Sequence, residues 1–333
     1  MRVLAMGISL AMGISLALGG SLAVAQNINQ KPVRVVAGSP GYDHIQPFIA
    51  ERLKLWERYK VNVEFIGGNY FRSNQMMSTA DFDAGYNQYA NAIRNLSAGV
   101  DNVIVGASSA NCALIVANPK VKSWADLKGK RFGIVTKFDV QYLTLVKHIL
   151  PRHGLKASDL DFALVPVPEI AAGLLTGDVA GAFPFEPFGT NAIAKGAKLL
   201  LKASDMVDQS KIKSDMLRNG YIMTRKFIKS NPEVAKRLVW AHMDAIEMMR
   251  RDKKAGLETL KHYNPKLDPK LLEDSYDNCG WSYQKPPQVW IETLIGWMKE
   301  DKLIQKDVAY KDVVDFSLQD AYPGYPAYEK LKK

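Results

Sequence analysis

The sequence predicts an α/β fold of two lobes built on mostly parallel sheets. Three observations lead there. The 333 residues suit about two domains at roughly 150 residues each. Short runs rich in Val, Ile and aromatic residues alternate with helical patterns over most of the chain, which is the grammar of βαβ units. No Gly/Ser-rich stretch divides two halves, so ordered crossovers rather than a tether should join the lobes.

Each element follows from its pattern. Residues 33–37 read as a strand, closed by the Gly/Ser/Pro turn at 38–41. Apolar residues at Ile45, Phe48, Ile49, Leu53 and Trp56 have helical spacing. Strands are expected at 61–66, 82–86 and 103–107, with a helix over 88–98. The same alternation resumes with strands at 113–117, 131–135, 161–167, 179–183, 198–201 and 221–224. Ser123 caps a short helix, and Asn231-Pro232-Glu233 places an N-cap before proline at the first helical position. Beyond about residue 230 helices dominate, at 235–249, 269–276 and 287–299.

Composition narrows the class. Apolar residues make up 47% and charged residues 23%, ordinary for a globular protein and too apolar for intrinsic disorder. The formal charge is +10, yet the basic residues are scattered among acids. The densest run, Arg250 to Lys254, sits at an expected helix end, where cations complement the dipole. Nucleic-acid binding calls for clustered basic residues interleaved with aromatics, so no nucleic-acid partner is expected.

The N-terminus reads as a cleavable signal peptide over residues 1–25. Arg2 supplies the positive start, 3–18 is uncharged and apolar, and Ala23-Val24-Ala25 provides small residues for cleavage before Gln26. The tandem AMGISL repeat at 5–16 is a duplicated signal core. Export into an oxidising compartment opens two readings of Cys112 and Cys279: a long-range disulfide, or two separate buried thiols.

Catalytic patterns gain no support. The five histidines form no metal-ligand spacing, and the chain carries no phosphate-binding loop and no nucleophile elbow. Aromatic and polar residues instead recur at expected strand ends. Tyr42 follows the first strand, and Tyr86 and Asn87 follow the third. Thr136, Phe138 and Asp139 open a helix, whose start is a ready anion site. Glu186 lies among aromatics at 183–188. The stretch 79–86 echoes 176–183, each delivering an aromatic at a strand end, and in open α/β sheets ligands sit beyond such ends. Each aromatic taken singly also fits a core role.

The stretches Ala113-Leu114-Ile115-Val116, Val121-Lys122-Ser123-Trp124-Ala125-Asp126-Leu127-Lys128-Gly129-Lys130, the run 173–182 (GLLTGDVAGA) and Phe185-Glu186-Pro187-Phe188 resemble the periplasmic solute-binding proteins of nitrate/sulfonate/taurine (NitT/TauT) ABC importers. That family includes sulfonate and thiamine-precursor binders. The resemblance spans roughly residues 32–315. It implies a type II-like periplasmic binding-protein fold, two α/β lobes with mixed, mostly parallel sheets joined by two crossovers. Residues 32–111 and 222–333 would form lobe I and residues 112–221 lobe II. By position, Tyr42, Tyr86, Asn87, Thr136, Phe138, Asp139, Glu186 and Trp281 would face the cleft. The resemblance further implies a monomer that binds a small organic solute without turnover, metal or cofactor. An inner-membrane permease with its ATPase would be the partner. Aromatic richness at those positions favours a planar aromatic anion over taurine or nitrate, with a pyrimidine- or flavin-like ring as the alternative. An enzyme resembling the thiamine-pyrimidine synthases and a periplasmic sensor module are the rivals from other classes.

Overall fold

The computed structural model describes residues 27–108, 112–212, 216–281 and 283–332. The expected signal peptide, residues 1–25, and its cleavage site lie outside them. Among these residues ten strands form two open sheets. Four strands precede the first crossover: β1 (Val33–Ala37), β2 (Val63–Ile66), β3 (Ala84–Gln88) and β4 (Asn102–Ala107). Five follow it: β5 (Ile115–Ala117), β6 (Arg131–Ile134), β7 (Asp161–Leu164), β8 (Gly181–Ala182) and β9 (Lys198–Leu201). The last strand is β10 (Asn219–Thr224).

The first sheet has the order β2-β1-β3-β10-β4 and the second β7-β6-β8-β5-β9. In the first, β10 is antiparallel to both its neighbours, β3 and β4. In the second, β5 is antiparallel to β8 and β9. Each sheet therefore runs four strands one way and one interior strand the other. The reversed strand is in both cases the first one laid down after the chain crosses over. This is the mixed, mostly parallel α/β architecture the sequence predicts. Strand β10 begins at Asn219 and passes through positions 221 and 222.

Strand composition explains the burial. Four of the five β1 residues, the valines and Ala37, are buried, and only Arg34 is partly exposed, as expected where helices cover both faces. One face of the first sheet packs on Ile49, Leu55, Leu238 and Met243, the last two from the helix Pro232–Arg251. The other face packs on Met77, Ile93, Trp290 and Leu294, and this core continues into the second sheet's Phe132 and the helical Ile149. A smaller cluster of Leu114, Ile170 and Leu174 covers the second sheet's opposite side. The basic run at 250–254 begins on the last turn of Pro232–Arg251, where Arg250 and Arg251 clasp the buried Glu247 at 2.6 and 2.9 Å.

The expected helix 45–56 is instead two, Gln46–Arg52 and Leu55–Arg58. Lys54 between them takes φ of 56°, which breaks the helical ladder while letting Trp56 turn onto Phe65. Cys112 and Cys279 are joined by a disulfide with Cα atoms 4.6 Å apart. This bond ties the root of β5 to the chain segment that follows the helix Pro269–Tyr276.

Candidate functional site

A cavity of about 530 Å³ opens where the two sheets face each other at the carboxyl ends of their parallel strands. The turn after β1 contributes Ser39 to Gly41, then Asp43 and His44, and the turn after β2 contributes Gly68 to Phe71. Gln88 is the last residue of β3. From the second sheet come Val135 and Asp139 after β6, 164–168 at the end of β7, and Phe185 and Phe188 after β8. Placing the site at strand ends exposes the backbone and side chains of connecting turns without disturbing either ladder.

Polar groups gather on the inner side. Asp43, 3% exposed, accepts through Oδ2 from Arg218 Nη2 and from Asn219 Nδ2 at 3.0 Å. Among the described residues its Oδ1 has no hydrogen-bond partner, nor has Nε2 of the buried His44. Burial lowers the His44 pKa and keeps the ring neutral. His44 stacks on Tyr70 at 6.4 Å, whose hydroxyl receives Asn91 Nδ2 at 3.2 Å and is pushed by burial to about 12. The Arg218 guanidinium lies 5.8 Å from the Phe185 ring. The walls are apolar: Phe71 and Leu164, 74% and 68% exposed, sit at the mouth with the exposed Pro166, and the partly buried Phe188 and Tyr263 complete the lining.

Contacts between the lobes close the site. Gln88 Oε1 accepts the Val140 amide at 2.9 Å. Gly41 lies so near Phe185 that a Cβ there would come within 2.5 Å of its ring. Asn264 Nδ2 donates to the Pro40 carbonyl at 3.0 Å and holds the turn in place.

Of the eight residues expected to face the cleft, Asp139 lines this cavity. It caps the helix Val140–Thr144, accepting the Tyr142 amide at 2.7 Å, and burial pushes its carboxyl up to about 6. With Gln88 on Val140 and Asp139 on Tyr142, the helix start expected to take an anion is occupied by the chain's own acceptors. Thr136 is partly buried beside this cap, its hydroxyl receiving the Phe138 amide at 3.3 Å. Phe138 is exposed, with Arg94 5.3 Å over its ring.

The other five sit off the cavity wall. Tyr42 is fully buried, donating to the Leu272 carbonyl at 2.5 Å and packing on Trp281 at 5.8 Å. The Trp281 indole donates to the Tyr276 carbonyl at 3.1 Å. Tyr86 is wedged between the rings of His44 and His242, and Asn87 Nδ2 is bonded to Asn74. Glu186 is buried as a brace, accepting from Asn278 Nδ2 and Thr190 Oγ1 at 2.7 Å each.

The shift has a register cause. Strand β3 ends at Gln88 rather than Tyr86, so the side chain delivered to the cleft is the one two positions later on the same face. Asp43 and His44 escaped the sequence reading because turn residues carry no periodicity, and Tyr70 and Phe71 because they open a polar helix, Tyr70–Ser78. The 39–44 turn, adjacent to a Gly/Ser/Pro run, held the available signal.

Two α/β lobes around a cavity at facing strand ends define the architecture of a bilobal solute-binding protein. Solved structures share it. The ligand-binding component of an ABC-type import system from Staphylococcus aureus, with zinc bound, is similar at 17% identity and TM-score 0.75, over 88% of this chain and 99% of that one. The alkanesulfonate-binding protein SsuA from Xanthomonas axonopodis pv. citri, bound to MOPS, gives 16% and 0.71 over 86% and 99%. A DSZB mutant in complex with biphenyl-2-sulfinic acid gives 14% and 0.62 over 86% and 97%. No curated protein matches the sequence significantly. The chain belongs to the NMT1-like family, whose model matches residues 42–261. The resemblance to NitT/TauT-type binding proteins read from the sequence thus holds for family and fold.

Proposed function

We propose that this protein is the extracytoplasmic solute-binding component of an ABC importer. It captures a small planar organic solute between its lobes and hands it to a membrane permease with its ATPase. The carrying observation is the cavity assembled from strand ends of both sheets. A ligand touching both walls favours the closed state through contacts absent from the open one. Residues 32–111 with the strand from 219 onward make one lobe in this reading, and 112–218 the other. The protein acts as a monomer in the periplasm, released by cleavage after Ala25, and binds without turnover or cofactor.

An aromatic anion is the solute the sequence favours. The aromatic half of that expectation draws support from Tyr70, Phe71, Phe185, Phe188 and Tyr263 around the cavity, which suit ring stacking. The lining residues include no Lys or Arg. Native mass spectrometry of protein released from the periplasm tests the reading: a stoichiometric organic adduct, exchangeable on dialysis and unchanged on incubation, is expected. Protein that never carries or binds an organic solute, or that converts one, would refute it.

A further inference from the structure

We propose that the cavity selects a solute bearing a positively charged, hydrogen-bond-donating group, such as a protonated amine or amidine on an apolar frame, and that Asp139 reads its charge. The inference rests on the solute-binding reading and concerns the sign of charge the site accepts.

Charge placement carries it. The charged side chains lining the cavity are two carboxylates, Asp43 and Asp139, and the lining His44 is neutral. One cation lies behind them. Arg218, 2% exposed, gives its Nη2 to Asp43 and its face to Phe185, and its Nη1 has no partner among the described residues. Asp139 is 2% exposed, and its Oδ1 is matched by the backbone amide of Tyr142. One guanidinium thus faces two buried carboxyls, and burying a charge without its own counter-ion is costly. Arg94, the next cation, is committed to Asn91 Oδ1 at 3.2 Å and to the Phe138 ring.

A second observation points to a ligand. Asp43 Oδ1 is a buried acceptor with no partner among the described residues, and Asp43 lines the cavity. Buried polar atoms left unpaired are uncommon in native folds, and a donating solute would satisfy this one. The aromatic walls act in the same direction, because ring faces attract cations. Burial holds the Asp139 carboxyl near 6, and a bound cation would draw it back toward the ionised form.

The test uses four probes on one frame: benzylamine, benzyl alcohol, benzoate and benzenesulfonate, each titrated at pH 7.5 by calorimetry and followed by thermal shift. Benzylamine should bind at least about ten-fold more tightly than either anion. In Asp139→Asn, which keeps an N-cap acceptor, that preference should vanish while circular dichroism stays unchanged. Mass analysis of any co-purified solute should show a cation. Tighter binding of benzoate or benzenesulfonate, or an amine preference undiminished in Asp139→Asn, would overturn the proposal. If no probe binds and nothing co-purifies, the solute-binding reading itself falls, and this inference with it.

Discussion

Gln88 and Val140 meet across the cleft, the glutamine Oε1 accepting the valine amide at 2.9 Å. One partner ends a strand of the first sheet and the other begins a helix that follows a strand of the second. The bond exists only with the lobes together. Gln88→Leu should therefore strand the Val140 amide on closure and cost about 1–2 kcal/mol, or roughly ten-fold in affinity. Calorimetric titration of the co-purified solute measures this. A lowered melting temperature with unchanged affinity would mean the bond serves folding instead.

Gly41 offers a steric probe of closure. Its backbone, at φ −77° and ψ 166°, accepts any residue, but a Cβ would lie 2.5 Å from Phe185 Cε2. Gly41→Ala should hold the lobes apart, weaken solute binding and enlarge the liganded protein in small-angle scattering. Adding Phe185→Leu should restore compaction. Compact, fully competent Gly41→Ala would show that the contact is not a closure contact.

The disulfide spans 167 residues of sequence. Reduction, or replacing both Cys112 and Cys279 by Ser, should lower stability by about 2–4 kcal/mol. Denaturant melts with and without dithiothreitol provide the measurement, and coincident curves would count against a formed bond.

His242 gives an acid limb to the stability profile. It is buried, stacked on Tyr221 at 4.9 Å and bonded to the Ala107 carbonyl at 2.8 Å, and burial depresses its pKa to about 4. The unfolded chain takes up the proton first, near 6.5. Its contribution is thus complete above that pH and is lost as pH falls through 4, about 3 kcal/mol in all. Urea melts at several pH values should show this loss in wild type and a shallower one in His242→Gln.

Processing is tested by mass. If Ala23-Val24-Ala25 directs cleavage, protein from the periplasm begins at Gln26. A full-length membrane-resident species would contradict it.

Strands 33–37 and 198–201 and the helix 269–276 fall on the expected residues, the two strands because they are short apolar runs rich in Val or Leu. A two-residue slip arose at β3, expected at 82–86 and found at 84–88, and β8 is a shorter strand, 181–182, inside the expected 179–183; Ala and Gly carry little pattern there. The slip at β3 decided much of the site. Tyr86 and Tyr42 share the chemistry of ligand-stacking rings, yet tertiary packing places both in the core, and composition cannot tell the two roles apart. Glu186 was read as a cleft residue, but its partners Asn278 and Thr190 are fixed by long-range folding. The Helix Tyr70–Ser78, which carries Tyr70 and Phe71 to the cavity, is too polar to announce itself.

The position of β10 has a consequence for the order of assembly. It lies inside the first sheet, and β4 is joined to that sheet through β10. Residues 33–107 can thus be complete in sequence while β3, paired with β1, keeps one open edge and β4 is not yet joined to the sheet, both awaiting a strand that emerges more than a hundred residues later. The second sheet needs no such return, since all five of its strands lie between 115 and 201. The later-encoded sheet is therefore the one free to fold by itself. The earlier one closes late, through contacts distant in sequence that slow folding, and carries the aggregation exposure of open strand edges until it does.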